Sequence, residues 1–231
     1  MAENYEELVS VILPLHNGER SIVAAIESIR AQTYAPIEIL VVDDGSTDQG
    51  AEVVRTFSEV KYIHQAAQGV AAARNMGLNH AQGHFVAFLD QDDLWLPDKT
   101  RLQFELLTSQ PNAVYALGWE HCVLEAGCER PCWVPENMMK EDHLGVHLGT
   151  MLARRSAFEL YGHFDTQYRF ASDFEWFVRI RKLGGVEVVL PQTVMHKSIH
   201  HTNESHHYKK MSTERMVILA RLRSLKAKPS L

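Results

Sequence analysis

From Leu8 to Asp90 the sequence alternates short apolar runs with segments whose apolar residues recur at helical spacing. That alternation leaves few folds open besides a parallel sheet wrapped by helices. LVSVILPL (Leu8 to Leu15), IEILVVDD, VKYIHQ and HFVAFLD read as strands. Between them, ERSIVAAIESIRAQ carries Ile22, Ala25, Ile26 and Ile29 on one helical face. A second helix, capped by Ser46, Thr47 or Asp48, is expected to run through Phe57, and GVAAARNMGLNHAQ supplies a third. Next come a helix in PDKTRLQFELLTSQP with Pro97 near its start, a strand AVYALGW, and an irregular stretch from Glu120 to Gly149 that reads as loops. A short strand GTMLARR, a helix SDFEWFVRIRKLG closed by Gly184, a strand VEVVL and a C-terminal helix from about Ser212 to Leu225 complete the pattern. No internal repeat or linker divides the sequence.

The 231 residues, 45% of them apolar, suffice for one substantial core. Acidic residues outnumber basic ones 29 to 23, a net charge of −6, which offers no general attraction to nucleic acid or anionic lipid. The N-terminus MAENYEELVSV lacks a basic start before an apolar segment, and no run approaches the ~18 apolar residues of a membrane span. The expected location is the cytoplasm, in solution or peripheral to the membrane. Cys122, Cys128 and Cys132 cluster beside His121, but their spacing matches no common zinc pattern. They read as free thiols in a variable loop.

Three features carry chemistry. VVDDGSTD (Val41 to Asp48) brings paired acids off a strand into a glycine turn, suited to recognising the NH and hydroxyl groups of a nucleoside. The alternative is an Asp-Gly turn with a helix cap. DQDD (Asp90 to Asp93) ends an apolar strand in alternate carboxylates, which repel one another unless a cation lies between them. A divalent ion gripping a diphosphate would supply it, against the alternative of a solvated acidic turn. In ASDFEWFVRIRKLGG, Asp173 opens a helix, as a functional acid or as a partner of the helix dipole.

Together VSVILPLHNGE, VVDDGSTD, GVAAARNMGLNHAQGHFVAFLDQDDLWLPDK and ASDFEWFVRIRKLGG resemble the ordered motifs of glycosyltransferase family 2 over about residues 8 to 205. The resemblance implies an α/β fold of GT-A type: a Rossmann-like, mostly parallel sheet flanked by helices, one domain with a C-terminal helix. Residues 8–118 would form a nucleotide-sugar-binding half, 119–205 an acceptor-binding half and 206–231 the C-terminal helix. Asp90-Gln91-Asp92 is similar to the family's Asp-X-Asp motif, in which carboxylates hold Mn2+ or Mg2+ on the donor diphosphate. By the same resemblance Asp43 and Asp44 contact the donor base, Pro14 and Asn17 lie in the first nucleotide-binding loop, and Arg74 lies near base and phosphates. Asp173 matches the base that deprotonates the acceptor, although Ser172 stands where the family has glutamate. His16 replaces a frequent tyrosine. MHKSIHHTNESHH resembles the ending R-x-H-x-x-N-x-S with His200, Asn203 and Ser205 in register; His200 would complete the metal's ligands or touch the diphosphate, and Lys197 would supply the charge that Ser198 lacks.

The implied reaction is inverting transfer of a sugar from a nucleoside-diphosphate donor, expected to be a UDP-sugar, to an acceptor hydroxyl. Asp173 would act as base and the metal would stabilise the leaving diphosphate. The expected acceptor is a carbohydrate, a lipid-linked molecule or a peptide, and a homodimer is a further expectation. Two other classes share the fold. A sugar nucleotidyltransferase should carry a glycine-rich, basic loop after the first strand, and PLHNGERS has one glycine and one arginine. A non-catalytic nucleotide-sugar-binding protein would be expected to lack Asp92 or Asp173, and both are present.

Overall fold

All seven residues of the first strand, β1 (Val9–Leu15), are buried, because the sheet is covered on both faces. Its side chains alternate between two cores: Val9, Val11, Leu13 and Leu15 enter one, Ile12 the other. The computed structural model describes residues 7–132, 134–223 and 225. The remaining elements in chain order are α1 (Ile22–Arg30), β2 (Ile37–Asp44), α2 (Gly50–Val54), β3 (Val60–Gln65), α3 (Val70–His80), β4 (Phe85–Phe88), β5 (Leu94–Trp95), α4 (Lys99–Ser109), β6 (Ala113–Leu124), β7 (His143–Leu144), β8 (Leu152–Arg154), α5 (Ser156–Tyr161), α6 (Ser172–Lys182), β9 (Val186–Ile199) and α7 (Tyr208–Leu222).

β1 pairs in parallel with β2 on one side, Val9 opposite Ile37 through Leu15 opposite Asp43. On the other side it pairs in parallel with β4, Val9 opposite Phe85 through Ile12 opposite Phe88. β3 adds to β2, also in parallel. Beyond β4 the sheet continues through β8, β6, β9 and β5, with β8 antiparallel to both neighbours, β6 parallel to β9, and β7 paired to β6 off this path. The acidic ends of β2 and β4 therefore flank the carboxyl end of β1, the edge where open α/β sheets gather ligands.

One face of the sheet packs Ile22, Ala25, Ile26 and Ile29 of α1 and Leu107 of α4. The other packs Ala71, Ala73 and Leu78 of α3 with Phe158, Trp176, Phe177 and Ile180 of α5 and α6. There Phe158 and Trp176 stack at 4.5 Å between ring centroids. Ile218 and Leu222 of α7 close over Tyr168 and Ala171, so the C-terminal helix docks beside α6.

Several elements depart from the sequence reading. β6 continues five residues past Trp119, because EHCVL keeps the strand period with Glu120 and Cys122 buried, where a polar composition had suggested loop. β9 continues nine residues past Leu190 despite Pro191, which falls where the β6 register shifts between the Leu117–Val189 and Trp119–Thr193 pairs, an irregularity that tolerates proline. The helix expected to run through Phe57 is confined to Gly50–Val54, and α5 had no reading of its own. α7 begins at Tyr208, four residues before expectation, while residues 226–231 of the expected tail lie outside the described residues.

Candidate active site

A cleft of about 1220 Å³ opens at the carboxyl ends of β1, β2 and β4. Pro14, Asn17, Asp44, Arg74, Asp90, Gln91, Asp92, Lys197 and His200 all line it. Sequence residues 14 to 200 thus converge on one surface.

Asp90 leaves β4 with its side chain 38% exposed, and Oδ1 accepts a hydrogen bond from Arg74 Nη2 at 2.7 Å. Burial opposes ionisation here, but Arg74 and then Lys197 outweigh it, holding the Asp90 carboxyl below the usual carboxylate range. Arg74 Nε is buried without a hydrogen-bond partner, a donor left over beside the cleft. Asp92 Oδ2 meets His200 Nε2 at 2.8 Å and Asn203 Nδ2 at 3.3 Å. The Thr202 backbone N–H donates to His200 Nδ1, so Nε2 carries the proton that Asp92 receives. That hydrogen bond raises the His200 pKa, with burial opposing. Asp93 is buried; Oδ1 accepts from Ser198 N at 2.9 Å and Oδ2 lies 3.6 Å from Lys197 Nζ. Burial pushes Asp93 up to about 6, Lys197 pulling the other way and Asp92 and Asp90 adding to the rise.

These donors fit a hard divalent cation. Carboxylate oxygens of Asp90 and Asp92 with one imidazole nitrogen are ligands suited to Mn2+ or Mg2+. His200 would ligate through the nitrogen that now donates to Asp92, so a cation would take that proton's place.

The acids of β2 are differently employed. Asp43 is 1% exposed, and Oδ1 accepts from Ser46 N at 2.8 Å while Oδ2 accepts from the Tyr62 hydroxyl at 2.6 Å. Burial opposes, yet these bonds hold its carboxyl below the usual range. Asp44 accepts Gln65 Nε2 and Gln68 N at Oδ1 and Gly69 N at Oδ2, each at 2.7 Å. It pins the turn that enters α3, leaving about one of a carboxylate's four lone-pair positions.

Asn17 has φ +51° and accepts the Thr47 N–H at 2.8 Å, tying the first loop to the DGST turn. Gln91 clamps that loop from the other side: Oε1 accepts His16 N at 2.9 Å and Nε2 donates to His16 O at 3.1 Å. A Cβ on Gly18 would fall 2.4 Å from Gln91 Oε1, so the clamp needs glycine there. His16 is exposed on the cleft wall, with Nδ1 3.0 Å from Asp44 O.

Asp173 lies in the first turn of α6, half-buried, with Oδ1 accepting from Phe174 N at 2.7 Å. It is not among the residues lining the cleft; Thr166, Tyr168 and Arg169 of the preceding loop are. Ser172 is buried, and Glu175 is fully engaged by Arg179 at 2.8 and 2.9 Å. Sequence reasoning passed over Glu204. It lines the cleft as an exposed residue, and partial desolvation there raises its carboxyl pKa, Arg74 opposing and Asp90 adding. Its signal was an acid lodged between Asn203 and Ser205 of the histidine-rich ending.

The fold and motifs have counterparts. A mannosyltransferase from Pyrobaculum calidifontis, solved with GDP-Man and Mn2+, superposes with TM-score 0.74 at 24% identity over 98% of this chain and 67% of that one. TarS of S. aureus, residues 1–349 with UDP-GlcNAc, gives 0.75 at 19% identity over 95% of this chain and 68% of that one. In sequence, the E. coli UDP-Glc:alpha-D-GlcNAc-diphosphoundecaprenol beta-1,3-glucosyltransferase WfgD is 44% identical over 103 residues, 43% of this chain and 41% of the relative. An uncharacterized glycosyltransferase of Rickettsia prowazekii is 28% identical over 187 residues, 75% of this chain and 58% of the relative. The chain thus spans about half the length of these two relatives. No described helix is long and apolar enough to cross a membrane. The architecture is that of GT-A glycosyltransferases, and residues 10–162 match the model of the family described as Glycosyl transferase family 2, to which this chain belongs.

Proposed function

We propose that the chain is a metal-dependent inverting glycosyltransferase that moves a sugar from a nucleoside-diphosphate donor, a UDP-sugar in the first instance, to an acceptor hydroxyl. The observation that carries this reading is the pair Asp90 and Asp92 on the cleft, one bonded to Arg74 and the other to His200 and Asn203. The donors bound by the structural neighbours, UDP-GlcNAc and GDP-Man, support a nucleoside diphosphate, and so does the UDP-Glc in the name of the E. coli relative.

In this reading residues 8–118 hold the donor, 119–205 shape the acceptor side, and α7 of the 206–231 segment closes the same unit, residues 224 and 226–231 lying outside the described residues. Pro14 and Asn17 line the nucleotide's pocket, Gln91 keeps that loop in place, and Asp43 holds the turn beside it. Asp44 offers its remaining lone pair to a base N–H. Arg74, oriented by Asp90, presents a buried donor to the phosphates. A Mn2+ or Mg2+ ion held by Asp90, Asp92 and His200 would supply a Lewis acid against the charge of the departing diphosphate. Asp173 takes the proton of the attacking hydroxyl: one oxygen is bonded to Phe174 N and the other is left for the acceptor. The sugar–phosphate bond breaks as the new glycosidic bond forms, and the nucleoside diphosphate leaves.

Asp173→Asn tests the base once a thermal-shift panel of nucleotide sugars, with and without Mn2+, has named the donor. Transfer should fall by roughly 10² to 10⁴ while donor affinity holds. Near-normal transfer would eliminate Asp173. A loss confined instead to Glu204→Gln would move the role to Glu204, the acid that does line the cleft.

A further inference from the structure

Beneath the segment that borders the cleft on its acceptor side, three side chains of different chemistry meet. Glu120 and Cys122 are two apart on β6 and both buried, so the strand period puts them on one face. His143 of β7 is the register partner of Glu120 and shares that face. The carboxylate, thiol and imidazole ligand atoms all lie within 4.8 Å of one another.

The hydrogen bonding around them is unfinished in one place. His143 Nδ1 lies 3.3 Å from the Glu141 carbonyl, which can only accept, so the ring proton belongs there and Nε2 presents a lone pair. That Nε2 is buried, has no hydrogen-bond partner, and sits 3.3 Å from Glu120 Oε1. On a neutral ring its lone pair faces a carboxylate oxygen, which is repulsive unless a proton or a metal ion lies between them. Glu120 is meanwhile held in place from its other oxygen. His147 Nδ1 accepts the Gly149 N–H, which leaves the proton on Nε2 to donate to Glu120 Oε2 at 2.6 Å. An oriented carboxylate, an imidazole with its free nitrogen turned inward and a buried sulfur are what a zinc ligand set with its supporting hydrogen bonds looks like.

We propose that Glu120, Cys122 and His143 bind Zn2+, with water in the fourth tetrahedral position, and that this ion staples β7 and the intervening segment to β6. The mixed S, N and O set selects a borderline-soft ion, in contrast to the harder oxygen-rich set of the cleft. Lys197, which pairs with Cys122 across β9, is an opposing charge, but its ammonium is drawn 3.6 Å from Asp93. Glu125 and Cys128, just beyond the end of β6, line the cleft, so the staple would order the wall against which an acceptor lies. Cys128 and Cys132 take no part. Zinc binding itself does not depend on the glycosyl-transfer reading; only the role of the ordered wall rests on it.

The test is metal content of the full chain, purified in zinc-replete medium and desalted. About one zinc per chain is expected, retained in Cys128→Ser and Cys132→Ser and lost in Cys122→Ser and His143→Gln. Cobalt exchanged into the wild type should give thiolate-to-metal charge transfer in the near ultraviolet together with intense tetrahedral bands, both absent from Cys122→Ser. The two loss variants guard against misfolding, since His143 is only partly buried. A wild-type chain that takes up no zinc, or that keeps it in folded His143→Gln, overturns the proposal. So does zinc lost only on Asp92→Ala, because that ion would belong to the cleft.

Discussion

Asp43 and Asp44 leave β2, and Asp90 and Asp92 leave β4, on either side of the same central strand. In sequence the two pairs look alike: apolar strand, then acids. In the structure, Asp43 spends both oxygens on Ser46 and Tyr62, and Asp44 spends three of about four acceptor positions on Gln65, Gln68 and Gly69. Among the described residues, the carboxylates of Asp90 and Asp92 hydrogen-bond only to side chains that are themselves cleft residues, Arg74, His200 and Asn203. Carboxylates saturated by turn N–H groups shape a pocket. Carboxylates bonded to other cleft-lining side chains can rearrange around a ligand.

Arg74→Met should have the largest effect. It removes a charge-assisted bond to Asp90 and the donor offered to the phosphates, so nucleotide affinity should drop about 10- to 100-fold, the equivalent of ~1.5–3 kcal/mol. Titration calorimetry measures it; unchanged affinity would place Arg74 with the structural acids.

Asp43→Asn should cost about 2 kcal/mol of stability, from a buried acceptor pair half lost, with little change in nucleotide affinity. The pH dependence follows from the depressed Asp43 pKa. Its stabilisation is complete above the unfolded carboxylate pKa near 4 and is lost as pH falls through and below it. The melting-temperature gap between wild type and Asp43→Asn should therefore narrow as pH is lowered from about 5 to 3. A constant gap would mean that Asp43 gains nothing from ionisation.

Gln91→Ala, the smallest change, frees the His16 loop by removing two backbone clamps. A loss of about 1 kcal/mol in stability and a modestly weaker nucleotide is expected, read by thermal melts with and without UDP. A collapse of affinity would instead make Gln91 a direct ligand contact.

Sequence patterns carried the strands of the β1 to β4 half, since IEILVVDD and VKYIHQ are strands with the boundaries their apolar runs imply, although α2 is shorter than expected. They failed where strands bury polar side chains. Glu120 disguised the end of β6, and Pro191 disguised the middle of β9, because neither composition nor proline shows that a neighbouring strand completes the pairing. The candidate site was legible as a set of residues on one cleft, Pro14, Asn17, Asp44, Arg74, Asp90, Gln91, Asp92 and His200, while Asp43 and Asp173 are not among its lining residues. What each does was not, since Asp43 and Gln91 point their polar atoms at the chain's own backbone and side chains, a matter of hydrogen-bond saturation that no spacing encodes. Glu204 escaped notice because its place beside Arg74 and Asp90 comes from the turn after β9.

The most direct test of the contrast between the two acid pairs is calorimetry of UDP binding, with and without Mn2+, to wild type, Asp92→Asn and Asp43→Asn at neutral pH. Mn2+ should strengthen binding to wild type and to Asp43→Asn alike, and the gain should vanish in Asp92→Asn, whose melting temperature stays near that of wild type. A Mn2+ gain that survives in Asp92→Asn but disappears in Asp43→Asn would contradict the assignment of the metal and diphosphate to the end of β4.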